Sequence, residues 1–178
     1  MKTYIAFLRG INVGGKHKVP MKDLKILLKN NNYQNIITLL NSGNIIFDSV
    51  ENSEEKIQEN LSELLEENFG FSIPTVVKTK GEIQEMLSEN PFQSIEMSKD
   101  IRLYVSFLYE EFNEKNSLKS LEDESFHIIR ITKTEIVSVL DLAKGKSTKA
   151  MEKMDKFFQK KLTTRNWNTL VKIGAKLT

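Results

Sequence analysis

Residues 36–47 read Ile36-Ile37-Thr38-Leu39-Leu40-Asn41-Ser42-Gly43-Asn44-Ile45-Ile46-Phe47. Two apolar, mostly β-branched runs flank Asn41-Ser42-Gly43-Asn44. Glycine adopts a positive φ without a Cβ penalty and asparagine tolerates one, so the stretch predicts a hairpin with strands over 36–40 and 45–47. Upstream, the apolar run over 3–9 predicts a buried first strand. Pro20 suits a first helical position, and Leu24, Leu27 and Leu28 keep the three-four spacing of a helix that ends near Asn30-Asn31-Asn32. Downstream, Asn52 with Glu55 resembles a capping box, and Ile57, Leu61, Leu64 and Leu65 give a second helix its apolar face as far as Gly70. Residues 72–78 predict a fourth strand. The order β-α-β-β-α-β over residues 1–80 is that of a ferredoxin-like plait, four antiparallel strands beneath two helices.

The remainder repeats part of this order. A helix over 82–88 and a break at Asn90-Pro91 make residues 81–99 a helical linker. Residues 100–178 then predict a second plait-like half: a strand over 101–108, a helix over 112–121, and strands over 126–131 and 136–142 about Thr132-Lys133-Thr134. No convincing residue-level repeat accompanies the structural one. The tail departs from the pattern, with helices predicted over 148–162 and 166–175. The fold class expected is therefore α+β: two ferredoxin-like halves with antiparallel sheets, plus C-terminal helices.

Composition narrows the chemistry. Of 178 residues, 39% are hydrophobic and 28% charged, the balance of a folded globular chain. The formal net charge of +2 is far from the basic footprint of a dedicated DNA-binding domain. The absence of cysteine excludes disulfides, thiolate catalysis and Cys-ligated metal centres. No run of about 18 apolar residues is present, so no membrane span is expected. The short N-terminal apolar run stops at Arg9 and reads as a strand, not an export signal. A cytoplasmic location is expected.

In a β-α-β-β unit the first two strands run parallel, so the loop after the first strand and the turn after the second emerge at one sheet edge. Arg9, Gly10, Asn12, Gly14, Gly15 and Lys16 should therefore meet Asn41, Ser42 and Asn44. The N-terminus of the first helix lies at the same edge and favours anions, as do His17 and Lys18. A phosphate or carboxylate fits such a site. The competing reading is that the glycines shape a tight loop and the asparagines bond their own turns. Gly10-Ile11-Asn12-Val13-Gly14-Gly15-Lys16 fails the P-loop spacing. Gly145-Lys146-Ser147-Thr148 lacks the upstream glycine and reads as a helix start capped by Ser147 or Thr148. No metal site is indicated: His127 lies in an apolar strand, and no nucleophile, base and orienting acid occur at recognisable spacing.

Thr163-Thr164-Arg165-Asn166-Trp167-Asn168-Thr169 contains the only tryptophan. Trp167 suits a packing role, whereas Arg165, Asn166 and Asn168 present multivalent donors that either bind ligand or lock the tail onto the Gly-rich loop. This block, together with Phe7-Leu8-Arg9-Gly10-Ile11-Asn12-Val13-Gly14-Gly15-Lys16, Val19-Pro20-Met21 and Asn41-Ser42-Gly43-Asn44-Ile45-Ile46-Phe47, resembles a bacterial family known as domain of unknown function 1697. The resemblance spans essentially the whole chain. It implies two α/β plaits and carries no activity, cofactor or catalytic residue across.

The function expected from these motifs is binding of a small phosphate-bearing, nucleotide-like ligand at the Gly-rich loop and the Asn-Ser-Gly-Asn turn. One alternative is an RNA-binding module, but the strands lack the paired aromatics by which plait folds stack bases, with only Tyr4, Phe7 and Phe47 available in the first half. The other is a structural or protein-interaction role. Neither a cofactor nor a reaction follows from the sequence.

Overall fold

The structure, a computed structural model, describes residues 1–177, with backbone only for Lys115 and Asn116. It is a mixed α+β chain with two four-stranded antiparallel sheets and, among the described residues, five α-helices. The chain divides into two compact units, residues 1–84 with Leu177 and residues 85–176.

In the first unit the elements are β1 (Lys2–Leu8), α1 (Met21–Asn30), β2 (Gln34–Leu39), β3 (Asn44–Ser49), α2 (Glu54–Phe69) and β4 (Thr75–Thr79), after which α3 (Lys80–Glu89) begins. The sheet order is β2-β3-β1-β4, every pair antiparallel. The expected hairpin is present, pairing Thr38 with Ile45 and Leu39 with Asn44. Tyr4, Ala6 and Leu8 alternate along β1 on the side that meets Leu24 and Leu28 of α1 and Ile57, Leu61 and Leu65 of α2. Each such buried aliphatic side chain contributes roughly 1.5–3 kcal/mol of transfer free energy. Ile5 and Phe7, the alternate residues of β1, are also buried.

Helix starts differ from expectation by one residue. Pro20 is the N-cap of α1, not its first residue, and offers no side-chain cap. The cap of α2 is Ser53, whose hydroxyl accepts from the Lys56 N–H, because the Glu51 carboxylate takes the N–H groups of Asn52 and Ser53 at 2.7 and 2.9 Å.

The second unit holds β5 (Ile101–Leu108), a 3-10 segment (Lys115–Leu121) in place of the expected 112–121 helix, β6 (Phe126–Ile131), β7 (Glu135–Asp141), α4 (Ser147–Phe157), β8 (Leu162–Asn166) and α5 (Trp167–Gly174). Its sheet order is β6-β7-β5-β8. The tail thus does not depart from the pattern. Helix α4 stops short of residue 162 because Gln159 and Lys160 take φ values of 51° and 64°, and β8 then pairs Thr163 with Phe107 and Leu162 with Leu108. The cap of α4 is Lys146, not Ser147 or Thr148.

Placed in register, the two units repeat each other. Leu8 N–H donates to Gly43 O and Leu108 N–H to Thr134 O, both at 2.8 Å. Arg9 N–H donates to Pro74 O at 2.9 Å and Tyr109 N–H to Lys161 O at 3.0 Å. The correspondence aligns Tyr4-Ile5-Ala6-Phe7-Leu8 with Tyr104-Val105-Ser106-Phe107-Leu108, a residue-level repeat hidden by the unlike loops that follow.

Candidate functional site

The loop from Arg9 to Lys18 is fastened at both ends. Ile11 and Val19 are 2% and 1% exposed and plug into the core of the first unit, leaving Val13 through Lys18 on the surface. Asn12, at φ 56°, is the fastener. Its Nδ2 donates to Val19 O at 3.0 Å and to Asn41 O at 2.8 Å, and its Oδ1 accepts from Val19 N–H at 2.9 Å. Asn12 N–H donates to His17 O at 2.9 Å and Lys16 N–H to Val13 O at 3.1 Å, closing the tip. Gly10, Gly14 and Gly15 all take positive φ, at 72°, 58° and 75°.

The turn at 41–44 meets this loop at one edge of the sheet. Gly43 sits so close to β1 that a Cβ there would lie 2.7 Å from both Leu8 Cβ and Ile11 Cδ1. Asn44 is fully buried and donates from Nδ2 to Leu39 O at 2.9 Å and to Ser42 Oγ at 3.1 Å. Asn12 therefore joins the loop to the turn, and Asn44 joins the turn to the end of β2.

What the scaffold leaves at the surface is cationic and rich in main-chain donors. Lys16, His17 and Lys18 are exposed, Arg9 is half-buried, and Asn41 and Ser42 are exposed. The His17 ring stacks on Phe71 at 4.6 Å, with its Nδ1 3.2 Å from Gly10 O. The first turn of α1 follows, uncapped by a side chain.

The tail residues lie in the second unit. Arg165, in β8, pairs with Val105 and donates through Nη1 to Thr164 O at 3.1 Å. Asn166 caps α5, its side chain accepting from Asn168 N–H at 2.9 Å. Trp167 is buried and packs edge-to-face on Phe92, with ring centroids 5.1 Å apart. Asn166, Trp167 and Asn168 line a groove of about 250 Å³ together with Lys99 and Arg102. Sequence reasoning passed over these two cations, because only the pairing of Tyr104 with Asn166 brings residues 99–102 beside 166–168.

No helix among the described residues is long and apolar enough to cross a membrane. No group of three His, Asp or Glu side chains among them is placed to hold a metal ion.

The chain is similar to the conserved bacterial protein SP0830 from Streptococcus pneumoniae, at 27% identity over 99% of this chain and 98% of that one, with a TM-score of 0.80. No curated protein matches it. The model of the family described as protein of unknown function, DUF1697, matches residues 1–137, which takes in the Gly-rich loop and the turn that meets it, and the chain belongs to that family.

Proposed function

We propose that this protein binds a small phosphate-bearing, nucleotide-like ligand at the sheet edge formed by residues 9–18 and 41–44. The observation that carries the reading is the fastening of the Gly-rich loop. Asn12 ties it to Val19 and Asn41, so the cationic tip is held in one conformation before any ligand arrives. A preorganised loop binds without the cost of ordering itself. In this reading Lys16, Lys18 and Arg9 supply charge, the N–H groups of Gly14, Gly15 and the first turn of α1 supply donors, and Asn41 and Ser42 complete the rim. Asn12, Gly43 and Asn44 are positioning residues.

The corresponding edge of the second unit carries Tyr109-Glu110-Glu111-Phe112-Asn113-Glu114, an acidic run in place of the basic loop. One ligand per chain follows. We further infer that each unit is a ferredoxin-like plait, which the order β2-β3-β1-β4 and its counterpart β6-β7-β5-β8 support. Tyr4, Phe7 and Phe47 are fully buried and offer no platform on which a base could stack, which favours the small ligand over RNA. The reading places the protein in the cytoplasm.

A thermal-shift series with inorganic phosphate, pyrophosphate and nucleoside mono- and triphosphates tests it. A ligand at a hundred times its dissociation constant stabilises by about 2.7 kcal/mol. We expect Lys16→Glu to abolish the shift with unchanged stability of the free protein. No shift with any probe at millimolar concentration, or an equal shift in the variant, would refute it.

A further inference from the structure

The tip of the fastened loop ends on an aromatic ring that phosphate binding leaves unused. His17 is exposed, and its imidazole lies flat on Phe71, with ring centroids 4.6 Å apart and planes within 19° of parallel. Phe71 is half-buried and packs against the core of the first unit, so the stack stands on a fixed support. Two further contacts hold the imidazole in place. Its Nδ1 lies 3.2 Å from Gly10 O, and because a carbonyl only accepts, Nδ1 carries the proton and donates. The His17 carbonyl accepts from the Asn12 N–H at 2.9 Å, which ties this residue, at φ 51°, to the same asparagine that fastens the loop.

Packing alone does not ask for so exposed a ring. An aromatic side chain placed only to cover Phe71 gains most by burying both of its faces. The second unit shows that arrangement more nearly. Tyr109 N–H bonds Lys161 O as Arg9 N–H bonds Pro74 O, so Phe158, three residues before Lys161, holds the place of Phe71. There Phe112 and Phe157 meet Phe158 edge-to-face at 5.1 and 4.9 Å and each other at 5.9 Å, and all three rings are half-buried. At the matching corner of the first unit, Phe71 covers one face of the imidazole and the other is open, one residue beyond the exposed Lys16.

We propose, on the basis of the phosphate site described above, that the outer face of His17 is the platform for the base of the bound ligand, which makes that ligand a nucleoside phosphate and favours a purine over a pyrimidine. His17 follows the Gly15 N–H by two residues, at most roughly 7 Å of chain. One ribose covers the distance between a phosphate held at Gly14 and Gly15 and a base lying on the imidazole. The base then becomes the third ring of a stack begun by Phe71 and His17. Every base has a π face to offer, and the fused rings of a purine cover more of the imidazole than a pyrimidine does.

Titration calorimetry of the full chain with adenosine monophosphate, cytidine monophosphate and ribose 5-phosphate reads the contribution of the base as a ratio of affinities. The wild type should bind adenosine monophosphate about tenfold more tightly than ribose 5-phosphate, with cytidine monophosphate between them. His17→Asn removes the ring, while asparagine still tolerates the positive φ, so the loop keeps its shape and the ratio should fall to about one. His17→Phe should restore the preference. In the wild type, NMR should show contacts between the purine protons and the His17 ring protons, a result that depends on no variant folding. Failure of all three compounds to bind would refute the phosphate site and the platform with it. Equal affinity for all three, a tenfold preference kept in His17→Asn, or bound purine without contacts to His17 would overturn the platform alone and leave the phosphate site standing.

Discussion

Replacing Gly43 by alanine should unseat the turn from the loop. The backbone there has φ 76°, so any Cβ meets left-handed strain of roughly 1 kcal/mol. The new methyl would also stand 2.7 Å from Leu8 Cβ and Ile11 Cδ1. Ile11 can rotate, but Leu8 Cβ is attached to a strand whose N–H donates to Gly43 O itself at 2.8 Å, so relief means breaking that bond. Overpacking of this kind costs about 1–3 kcal/mol, which puts the total near 2–4 kcal/mol. Gly14→Ala is the internal control, for its φ of 58° carries similar strain while no atom lies within 4 Å of the added methyl. Urea unfolding of the two variants separates the terms. Gly43→Ala should lose at least about 1 kcal/mol more than Gly14→Ala, and values within about 0.5 kcal/mol of each other would refute the argument that the turn is wedged against β1.

Asn12→Ala removes three hydrogen bonds between the loop, Val19 and Asn41 and should cost about 2–3 kcal/mol in urea unfolding, with ligand-induced stabilisation lost alongside. Asp123 bonds Lys153, the Ser125 hydroxyl and the Ser125 N–H, which hold its carboxyl well below the usual range. Its stabilisation is present above the ordinary carboxylate value of 3.8 and lost as pH falls below it, so the gap in Tm between wild type and Asp123→Asn should be widest at neutral pH and shrink towards pH 2. Asn166→Ala removes the cap of α5 and should destabilise by about 1 kcal/mol, measured by urea unfolding.

Much of the first unit was legible because local signals agree with the tertiary result. The hairpin about Gly43 and the apolar stripes of α1 and α2 fall where periodicity and turn chemistry place them. Strand β8 was not legible. Leu162-Thr163-Thr164-Arg165-Asn166 is short and polar, and only its partner β5 makes it a strand. The repeat was obscured in a similar way. Tyr4, Phe7 and Leu8 recur as Tyr104, Phe107 and Leu108, but β1 leads into a basic Gly-rich loop and β5 into an acidic one. At the site, the meeting of Asn12 with the 41–44 turn followed from topology, whereas its role as a fastener needed hydrogen-bond geometry.

The central claim is that the fastened loop of the first unit receives phosphate. An amide NMR titration of the full chain with inorganic phosphate and a nucleoside monophosphate tests it most directly. The account predicts saturable shifts at Gly14, Gly15, Lys16, His17, Met21 and Lys22, with the loop of residues 109–114 silent. Shifts centred instead on Lys99, Arg102 and Asn168, or none at millimolar ligand, would contradict it.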